Sequence, residues 1–244
     1  MQITVLQWNI WYKEPIQNIL KVLKEIDADI ICLQELAINN TEQSTADTVR
    51  YIADGLGFNV AFCEIPLENQ EMNLANAIFT RFDVLQKCTA WINQPTGTNN
   101  YDDEYRAYVQ ADVRIRNTSL RIGTVHMSYT HAFEPTTRKM LETSNLINEI
   151  KDNNSNFILT GDFNATPGSP VIDLIQKQLM NVGPDLLLNT WTTKPFSYGG
   201  FAAKELDWRL DYVFASSDIK VIKAEIIQTD FSDHLPILAT FEVS

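Results

Sequence analysis

The residues in this chain that could carry chemistry are concentrated in two short strings. One is residues 161–164 (GDFN), and the other is residues 232–234 (SDH), close to the C-terminus. Each follows a run that predicts a buried β-strand, residues 156–160 before the first string and residues 226–229 before the second. A carboxylate beside an amide, and a carboxylate beside an imidazole, suit metal-assisted hydrolysis of a phosphoester. A cation and an imidazolium neutralise charge, while a carboxylate readies a water.

The first string has the features of a site rather than of an ordinary loop. Gly161 allows a sharp turn of the backbone, and period-two alternation then directs Asp162 and Asn164 to the same side. The alternative is a simple Asx turn, which Asp and Asn often form. We favour the site because strand, glycine, carboxylate and amide form one compact unit.

Two further polar residues end predicted strands near the N-terminus. Asn9 follows the strand at residues 3–8, and Glu35 follows the strand at residues 29–34. An amide and a carboxylate at neighbouring strand ends could share one hard cation, and oxygen ligands suit Mg²⁺ or Mn²⁺. Taken singly, Asn9 could simply form a turn and Glu35 could simply solubilise a loop.

Asp211 is an acidic residue that needs a partner. Asp211 lies in a strand-like run, where burying an unpaired charge is costly. His234 is its expected partner, and such a pair would orient the imidazole and favour its protonated form. A surface position for Asp211 is the alternative. His126 ends another predicted strand and is one of only three histidines in the chain, which raises the case for a role in the site.

Composition limits the possible partners. The chain has 244 residues, of which 45% are hydrophobic, and a formal net charge of −12. Without a Pro/Gly/Ser linker or an internal repeat, we expect one domain spanning residues 1–244. The negative charge argues against a broad nucleic-acid-binding face. The cysteines Cys32, Cys63 and Cys88 predict neither disulfides nor a zinc site. No signal peptide or transmembrane segment is expected, which fits a cytoplasmic monomer.

The periodicity of apolar residues predicts more strands than helices. The predicted helices cover residues 15–27, 46–56, 137–151 and about 170–179. The other predicted strands cover residues 58–63, 76–80, 84–91, 106–116, 120–127, 210–215, 220–228 and 236–242. Two sheets packed face to face, with helices on their outer faces, would bury the apolar positions.

The ordered set of motifs resembles the endonuclease/exonuclease/phosphatase superfamily, which includes DNase I-like nucleases. The motifs are residues 8–10 (WNI), 33–35 (LQE), 76–81 (NAIFTR), 125–126 (VH), 161–164, 209–212 (RLDY) and 232–234. The resemblance implies a four-layer α/β/β/α sandwich, with two packed and mostly antiparallel sheets. It also implies hydrolysis of a phosphoester with a divalent cation, usually Mg²⁺ with Mn²⁺ as a substitute.

The resemblance also implies roles for individual residues. It implies that Glu35, Asn9 and Asp233 bind the cation. It also implies that Asp162 aligns or deprotonates the attacking water and that Asn164 holds the phosphate or that water. It assigns charge stabilisation to His234, orientation of that imidazole to Asp211, and phosphate contact to His126. Arg106 and Asn76 are expected near the substrate.

Two segments outside the motifs are expected to set specificity, residues 64–75 and residues 189–208. Trp191 and Trp208 in the second segment could stack on a flat group of the substrate, or could only pack beneath the loop. Three functions stay open. The first is a phosphodiesterase or nuclease-like enzyme for exposed or small substrates. The others are a phosphomonoesterase on a sugar, inositol or lipid headgroup, and a non-catalytic binding module on the same scaffold.

Overall fold

The computed structural model describes residues 1–40, 45–67, 71–98 and 102–243. Two six-stranded sheets form its centre. The first sheet consists of β1 (Gln2–Asn9), β2 (Ile30–Ile38), β3 (Asn59–Pro66), β4 (Asn73–Thr80), β13 (Lys220–Ile226) and β14 (Ile237–Glu242). Its strand order is β13-β14-β1-β2-β4-β3.

The second sheet consists of β5 (Val84–Asn93), β6 (Arg106–Ile115), β7 (Thr118–His126), β8 (Phe157–Asp162), β9 (Met180–Asn181) and β12 (Asp211–Ala215). Its strand order is β5-β6-β7-β8-β12-β9.

The helices lie on the outer faces of the sheets. α1 (Ile16–Ile26) and α2 (Thr48–Leu56) pack on the first sheet, and α3 (Thr137–Ile150) and α4 (Pro170–Gln176) pack on the second. A third apolar cluster fills the space between the sheets, where strand residues of both sheets meet. These three buried layers make the predicted four-layer α/β/β/α sandwich, which is confirmed. Only β1–β2 and β7–β8 pair in parallel among the described pairs.

The helix boundaries follow from local chemistry. Asp47 caps α2 by accepting the backbone N–H of Arg50 at 2.9 Å, so the helix begins two residues later than predicted. Ser169 caps α4, with Pro170 in its first turn, a sequence typical of a helix start. That helix ends at Gln176 rather than about residue 179. No helix in the described part of the chain is long and apolar enough to cross a membrane.

Several strand predictions need correction. The run at residues 226–229 is not a buried strand, because β13 pairs only with β14 at the edge of its sheet and ends, half-buried, at Ile226. The segment 189–208 is not all loop, since β10 (Phe196–Tyr198) and β11 (Phe201–Ala203) form a hairpin within it. Much of the segment 64–75 belongs to β3 and β4, and residues 68–70 lie outside the described part.

Candidate active site

Strand pairing brings the distant motifs to one edge of the sandwich. In the second sheet, Asp162 at the end of β8 lies opposite His126 on the parallel strand β7. On its other side, Asp162 lies opposite Asp211 on the antiparallel strand β12. In the first sheet, Asn9 ends β1. Its amide Nδ2 donates to Oδ2 of Asp162 at 3.0 Å, which places Asn9 at the same edge. The site is therefore built across both sheets.

A β-bulge directs Glu35 into this edge. β2 does not end at residue 34 as predicted. It continues to Ile38, and its pairing with β4 shifts between Leu33 and Leu36. Glu35 sits in that shift with a φ of 62°, a left-handed backbone that costs free energy and is common near functional sites. Its carboxylate accepts the amide of Asn9 at 3.0 Å and the backbone N–H of Tyr12 at 3.2 Å.

Gly161 serves a close approach of two strands rather than a sharp turn. It lies inside β8, so the predicted turn at this position is wrong. A Cβ at Gly161 would lie 2.4 Å from the backbone oxygen of Val125 on β7, which no larger residue could tolerate. Only glycine therefore lets β7 and β8 deliver His126 and Asp162 side by side.

Asn164 reaches the site through a turn rather than through strand alternation. Its φ is 45°, and its backbone N–H donates to Oδ1 of Asp162 at 2.9 Å. Its side-chain amide donates to the backbone oxygen of Met127 at 3.0 Å and lies 3.3 Å from Nε2 of His126. The Asx turn and the site are thus the same structure, and the two interpretations were not alternatives.

His234 and Asp211 form the expected buried pair. Nδ1 of His234 lies 2.8 Å from Oδ2 of Asp211, and both residues are almost fully buried. Nε2 of His234 lies 3.6 Å from Oδ2 of Asp162. Burial by itself lowers the pKa of His234, but the charges of Asp211 and Asp162 outweigh it and raise that pKa to about 10. The imidazole is therefore positively charged at neutral pH.

The second string is fastened to the first sheet by its serine. Ser232 has a φ of 64°, and its hydroxyl donates to the backbone oxygen of Asn9 at 2.7 Å. The same oxygen atom of Ser232 accepts the backbone N–H of His234 at 3.1 Å. The position of the imidazole is therefore set by β1. Asp211 is itself buried, so the alternative of a surface position for that residue is wrong.

The pKa values of Asp162 and His126 shift in opposite directions. Burial, and then the charge of Asp211, raises the pKa of Asp162, against the opposing charge of His234. Burial, and then the charges of Arg106 and His234, lowers the pKa of His126 well below its ordinary value. His126 is therefore neutral, and a neutral imidazole has one nitrogen that donates a hydrogen bond and one that accepts.

These side chains surround a cavity of about 230 Å³. Its polar wall consists of Glu35, Arg106, His126, Asp162, Asn164, Asp233 and His234. Its aromatic wall consists of Tyr129, Phe133, Trp191, Phe196 and Tyr198. A larger cavity of about 920 Å³ lies beside Trp91 and Arg138, but it contains none of the motif residues. We therefore place the chemistry in the smaller cavity.

The residues at one side of the cavity fit a divalent cation. Oδ1 of Asp233 is buried and has no hydrogen-bond partner, while Oδ2 accepts the indole N–H of Trp191 at 3.1 Å. Burial, and then the charge of Asp233, raises the pKa of Glu35 to about 7. Two carboxylates that repel one another and an unpartnered buried oxygen are what a bound cation would satisfy.

Asn9 and Asp211 are less suited to that cation. Oδ1 of Asn9 accepts the backbone N–H of Trp11 at 3.1 Å, while its Nδ2 donates to Glu35 and Asp162, so the nitrogen of this amide and not its oxygen faces the carboxylates. Possible ligand atoms of Asp162, Asp211 and His234 also lie within 4.8 Å of one another. A protonated imidazole is not a metal ligand, so we interpret His234 and Asp211 as a hydrogen-bonded pair beside the carboxylate of Asp162.

The predicted substrate residues divide into two groups. Arg106 and Trp191 line the cavity, and Arg106 forms an ion pair with Glu104. Asn76 and Trp208 are not among the described residues that line it. The amide of Asn76 is buried and donates to the backbone oxygen of Ala107. Trp208 packs against Phe133 with its ring centroid 4.9 Å away, so the packing alternative holds for Trp208.

Sequence reasoning missed several residues that build the site. Tyr129 and Phe133 in the aromatic wall follow His126 closely, and aromatic residues just past a motif were the only available signal. Gln7 gave no signal at all, because nothing in β1 marks it. Its amide bonds Gln34 at 2.6 Å and Asp211 at 3.3 Å, so it joins the two sheets directly beneath the site.

Comparison with solved structures supports the fold over nearly the whole chain. An endonuclease/exonuclease/phosphatase family protein from Leptotrichia buccalis has a TM-score of 0.76 at 19% identity, over 99% of this chain and 100% of the other. The human Nocturnin catalytic domain has a TM-score of 0.72 at 19% identity, over 99% and 94%. A mannosyl-6-phosphatase from Bacteroides thetaiotaomicron has a TM-score of 0.72 at 15% identity, over 99% and 100%.

These identities are low, and the structural likeness alone therefore establishes the fold and not the substrate. No curated protein matches the chain closely enough by sequence to count as a relative. The model of the Endonuclease/Exonuclease/phosphatase family, in contrast, matches residues 6–234, which include every motif described above. The chain therefore belongs to the endonuclease/exonuclease/phosphatase family, whose members are phosphoester hydrolases.

Proposed function

We propose that this protein is a divalent-metal-dependent phosphoester hydrolase in which water attacks phosphorus in line with the leaving alcohol. The observation that carries the proposal is the grouping of Asp162, His234 and Glu35 around one cavity. Oδ2 of Asp162 lies 3.6 Å from Nε2 of His234 and 3.5 Å from Nε2 of His126. A base, a cationic acid and a neutral imidazole thus face the same small volume.

A cation would be held by Glu35 and Asp233, with Asn9 beside them. Mg²⁺ is the expected ion and Mn²⁺ its substitute, because the candidate ligands are oxygen atoms. When bound, such an ion neutralises negative charge on the phosphate. The unpartnered oxygen of Asp233 and the raised pKa of Glu35 are the support for this assignment.

The protein's own residues would divide the remaining work. Asp162 would take the proton from the attacking water, and its raised pKa makes it a better base than an ordinary aspartate. Asn164 would hold the water or a phosphate oxygen. His234, charged and oriented by Asp211, would stabilise the developing negative charge on the phosphate. His126 and Arg106 would contact the other phosphate oxygens.

A phosphodiesterase or nuclease-like activity on small or exposed substrates is the first candidate. Among the described residues that line the cavity, Arg106 is the only cation besides His234, and the net charge is −12. Long nucleic acid would need a broader positive surface than this.

A phosphomonoesterase on a sugar, inositol or lipid headgroup is the second candidate. The cavity holds about 230 Å³ and is closed on one side by aromatic rings, which favours a terminal phosphate over one within a long chain. The structurally similar Bacteroides thetaiotaomicron protein is described as a mannosyl-6-phosphatase. A non-catalytic binding module is the third possibility, and a protein inactive on every phosphoester would support it.

Turnover of two chromogenic substrates would test the proposal. The wild-type protein should hydrolyse bis-p-nitrophenyl phosphate or p-nitrophenyl phosphate with Mg²⁺ or Mn²⁺ present, and should lose activity with a chelator. The ratio of the two rates separates diester from monoester preference. Asp162→Asn and His234→Ala should lose turnover while circular dichroism stays native. Activity that survives both substitutions would contradict the assigned mechanism.

A further inference from the structure

Lys139 on α3 is a fully buried lysine that the proposed mechanism does not use. Its side chain is 1% exposed. Its ammonium Nζ donates to the backbone oxygen of Ser128 at 2.5 Å and to the backbone oxygen of Phe163 at 2.8 Å. Its main partners are therefore two backbone carbonyls.

The two carbonyls belong to the loops that directly follow β7 and β8, the strands that end at His126 and Asp162. Ser128 lies two residues after His126, and Phe163 lies between Asp162 and Asn164. Backbone pairing of β7 and β8 extends only to the bond from the N–H of Met127 to the oxygen of Asp162, at 2.9 Å. Lys139 therefore joins the two loops just beyond the point where the strand ladder stops.

The same helix also holds the other polar group of Ser128. Glu142, one turn after Lys139, accepts the backbone N–H of Ser128 at 3.0 Å. The start of the helix is fixed by Thr136, whose hydroxyl oxygen accepts the backbone N–H of Lys139 at 3.0 Å. That hydroxyl also donates to Asp102 at 2.6 Å. α3 thus presents the two buried charged side chains from a fixed position.

A buried ammonium is a costly way to fill this space. Removing a charge from water has a large free-energy cost, which hydrogen bonds offset only in part, whereas methionine would fill a similar volume without that cost. Burial lowers the pKa of Lys139, to about 8, although the charges of Glu142 and Asp162 oppose the shift. Lys139 is therefore still protonated at neutral pH, and it donates to both loops.

We propose, on the basis of the proposed hydrolase activity, that Lys139 is a positioning residue that clamps the loops after β7 and β8 together. The clamp sets the relative positions of His126, Asp162 and Asn164 without touching substrate. It acts on the chemical step, because those three side chains must be aligned around the phosphate when water attacks.

Substitution by methionine removes the two hydrogen bonds while keeping the length of the side chain. Lys139→Met should lower kcat on a p-nitrophenyl phosphoester by about 10- to 100-fold, with KM changed by less than about threefold. The side-chain amide resonances of Asn164, assigned with Asn164→Asp, should shift in a ¹⁵N spectrum. Leu141→Ala is the matched control, since Leu141 lies on the same helix and is 61% exposed. It should change neither quantity.

A folded Lys139→Met protein with unchanged kcat, or with the Asn164 resonances in place, would overturn the clamp. If this variant does not fold, Lys139→Gln takes its place, because a glutamine amide can still donate to one carbonyl. It should lower kcat and shift the Asn164 resonances in the same direction, by no more than Lys139→Met would. Should neither variant fold, Lys139 is needed for folding and the positioning role is rejected.

The outcome for the wild-type protein separates the clamp from the proposed function. A wild-type protein that hydrolyses no phosphoester contradicts the proposed hydrolase activity. It also contradicts the role of Lys139, because that role rests on this activity. An active wild-type protein beside an equally active Lys139→Met protein contradicts the clamp alone.

Discussion

Nδ1 of His234 lies 2.8 Å from Oδ2 of Asp211, although the two residues reach the site from different sheets. Asp211 begins β12 in the second sheet, whereas His234 follows β13 and precedes β14 in the first. Gln7 on β1 donates to the other oxygen of Asp211 at 3.3 Å. The pair therefore forms only when the sandwich closes, and it couples the charge of the imidazole to the packing of the sheets.

Substituting Asp211 by asparagine should lower kcat while the protein stays folded. The asparagine amide preserves the shape of the side chain but removes the charge that raises the pKa of His234, so a larger fraction of the imidazole is neutral. We expect kcat to fall on the order of 10²-fold, the loss typical when one group that stabilises charge in the transition state is impaired. Steady-state kinetics at pH 7 would measure this loss.

Asp112→Asn is the control for that substitution. Asp112 is also a strand aspartate with a cationic partner, Arg121 at 2.9 Å, but it does not line the cavity. Its replacement should leave kcat unchanged. Equal losses in the two variants would show that any strand aspartate has the same effect, which would remove Asp211 from the mechanism.

The buried His234–Asp211 pair should make stability depend on pH in a defined direction. The pKa of His234 rises from an ordinary 6.5 to about 10 on folding, so the folded state binds the proton more tightly than the unfolded state. The stabilisation is fully present below pH 6.5 and is lost as the pH rises toward 10. Urea unfolding across that range would measure the change.

His234→Gln isolates this effect from other titrating groups. The difference in free energy of unfolding between the wild-type protein and His234→Gln should shrink as the pH rises from 6.5 to 10. A difference that stays constant or grows over this interval would mean that His234 is not a buried cation in the folded protein.

Metal binding should release a proton from Glu35. Burial and the charge of Asp233 raise the pKa of Glu35 to about 7 without an ion, and a cation binds only the ionised carboxylate. The affinity for Mn²⁺ should therefore weaken as the pH falls below 7. Calorimetric titrations at pH 6 in two buffers with different ionisation enthalpies should give different heats.

Glu35→Gln provides the comparison, because it cannot release that proton. Its heats of Mn²⁺ binding, if any binding is left, should no longer depend on the buffer. Buffer-independent heats in the wild-type protein at pH 6 would argue against Glu35 as the group that the ion deprotonates.

Trp191 should support the cation indirectly through Asp233. Its indole N–H donates to Oδ2 of Asp233 at 3.1 Å and leaves Oδ1 available. Trp191→Phe keeps an aromatic ring but removes the donor, so the concentration of Mn²⁺ that gives half-maximal activity should rise about 10-fold, which corresponds to the loss of one hydrogen bond to a charged group.

Trp208→Phe is a close match, since Trp208 lies in the same aromatic cluster and pairs with Trp191 through the backbone. It should leave the Mn²⁺ requirement unchanged. If both tryptophan variants change that requirement equally, the cause is packing of the cluster and not the hydrogen bond to Asp233.

The sequence by itself determined the layers of the fold and most of the polar side of the site. Apolar periodicity depends on local spacing, so it predicts where strands and helices occur whatever their neighbours are. Motifs that follow strands, such as the one containing Asp162, could be placed at a sheet edge for the same reason. The cost of burying a charge predicted that Asp211 needs a partner, and His234 was the expected one.

Only the tertiary structure decided how those residues are held. The bulge at Glu35 depends on its pairing with β4, and the need for glycine at residue 161 depends on the approach of Val125. The buried position of Lys139 depends on two loops that meet above α3. Such features arise from contacts between residues far apart in the chain, and a local pattern cannot encode which distant backbone will be its neighbour.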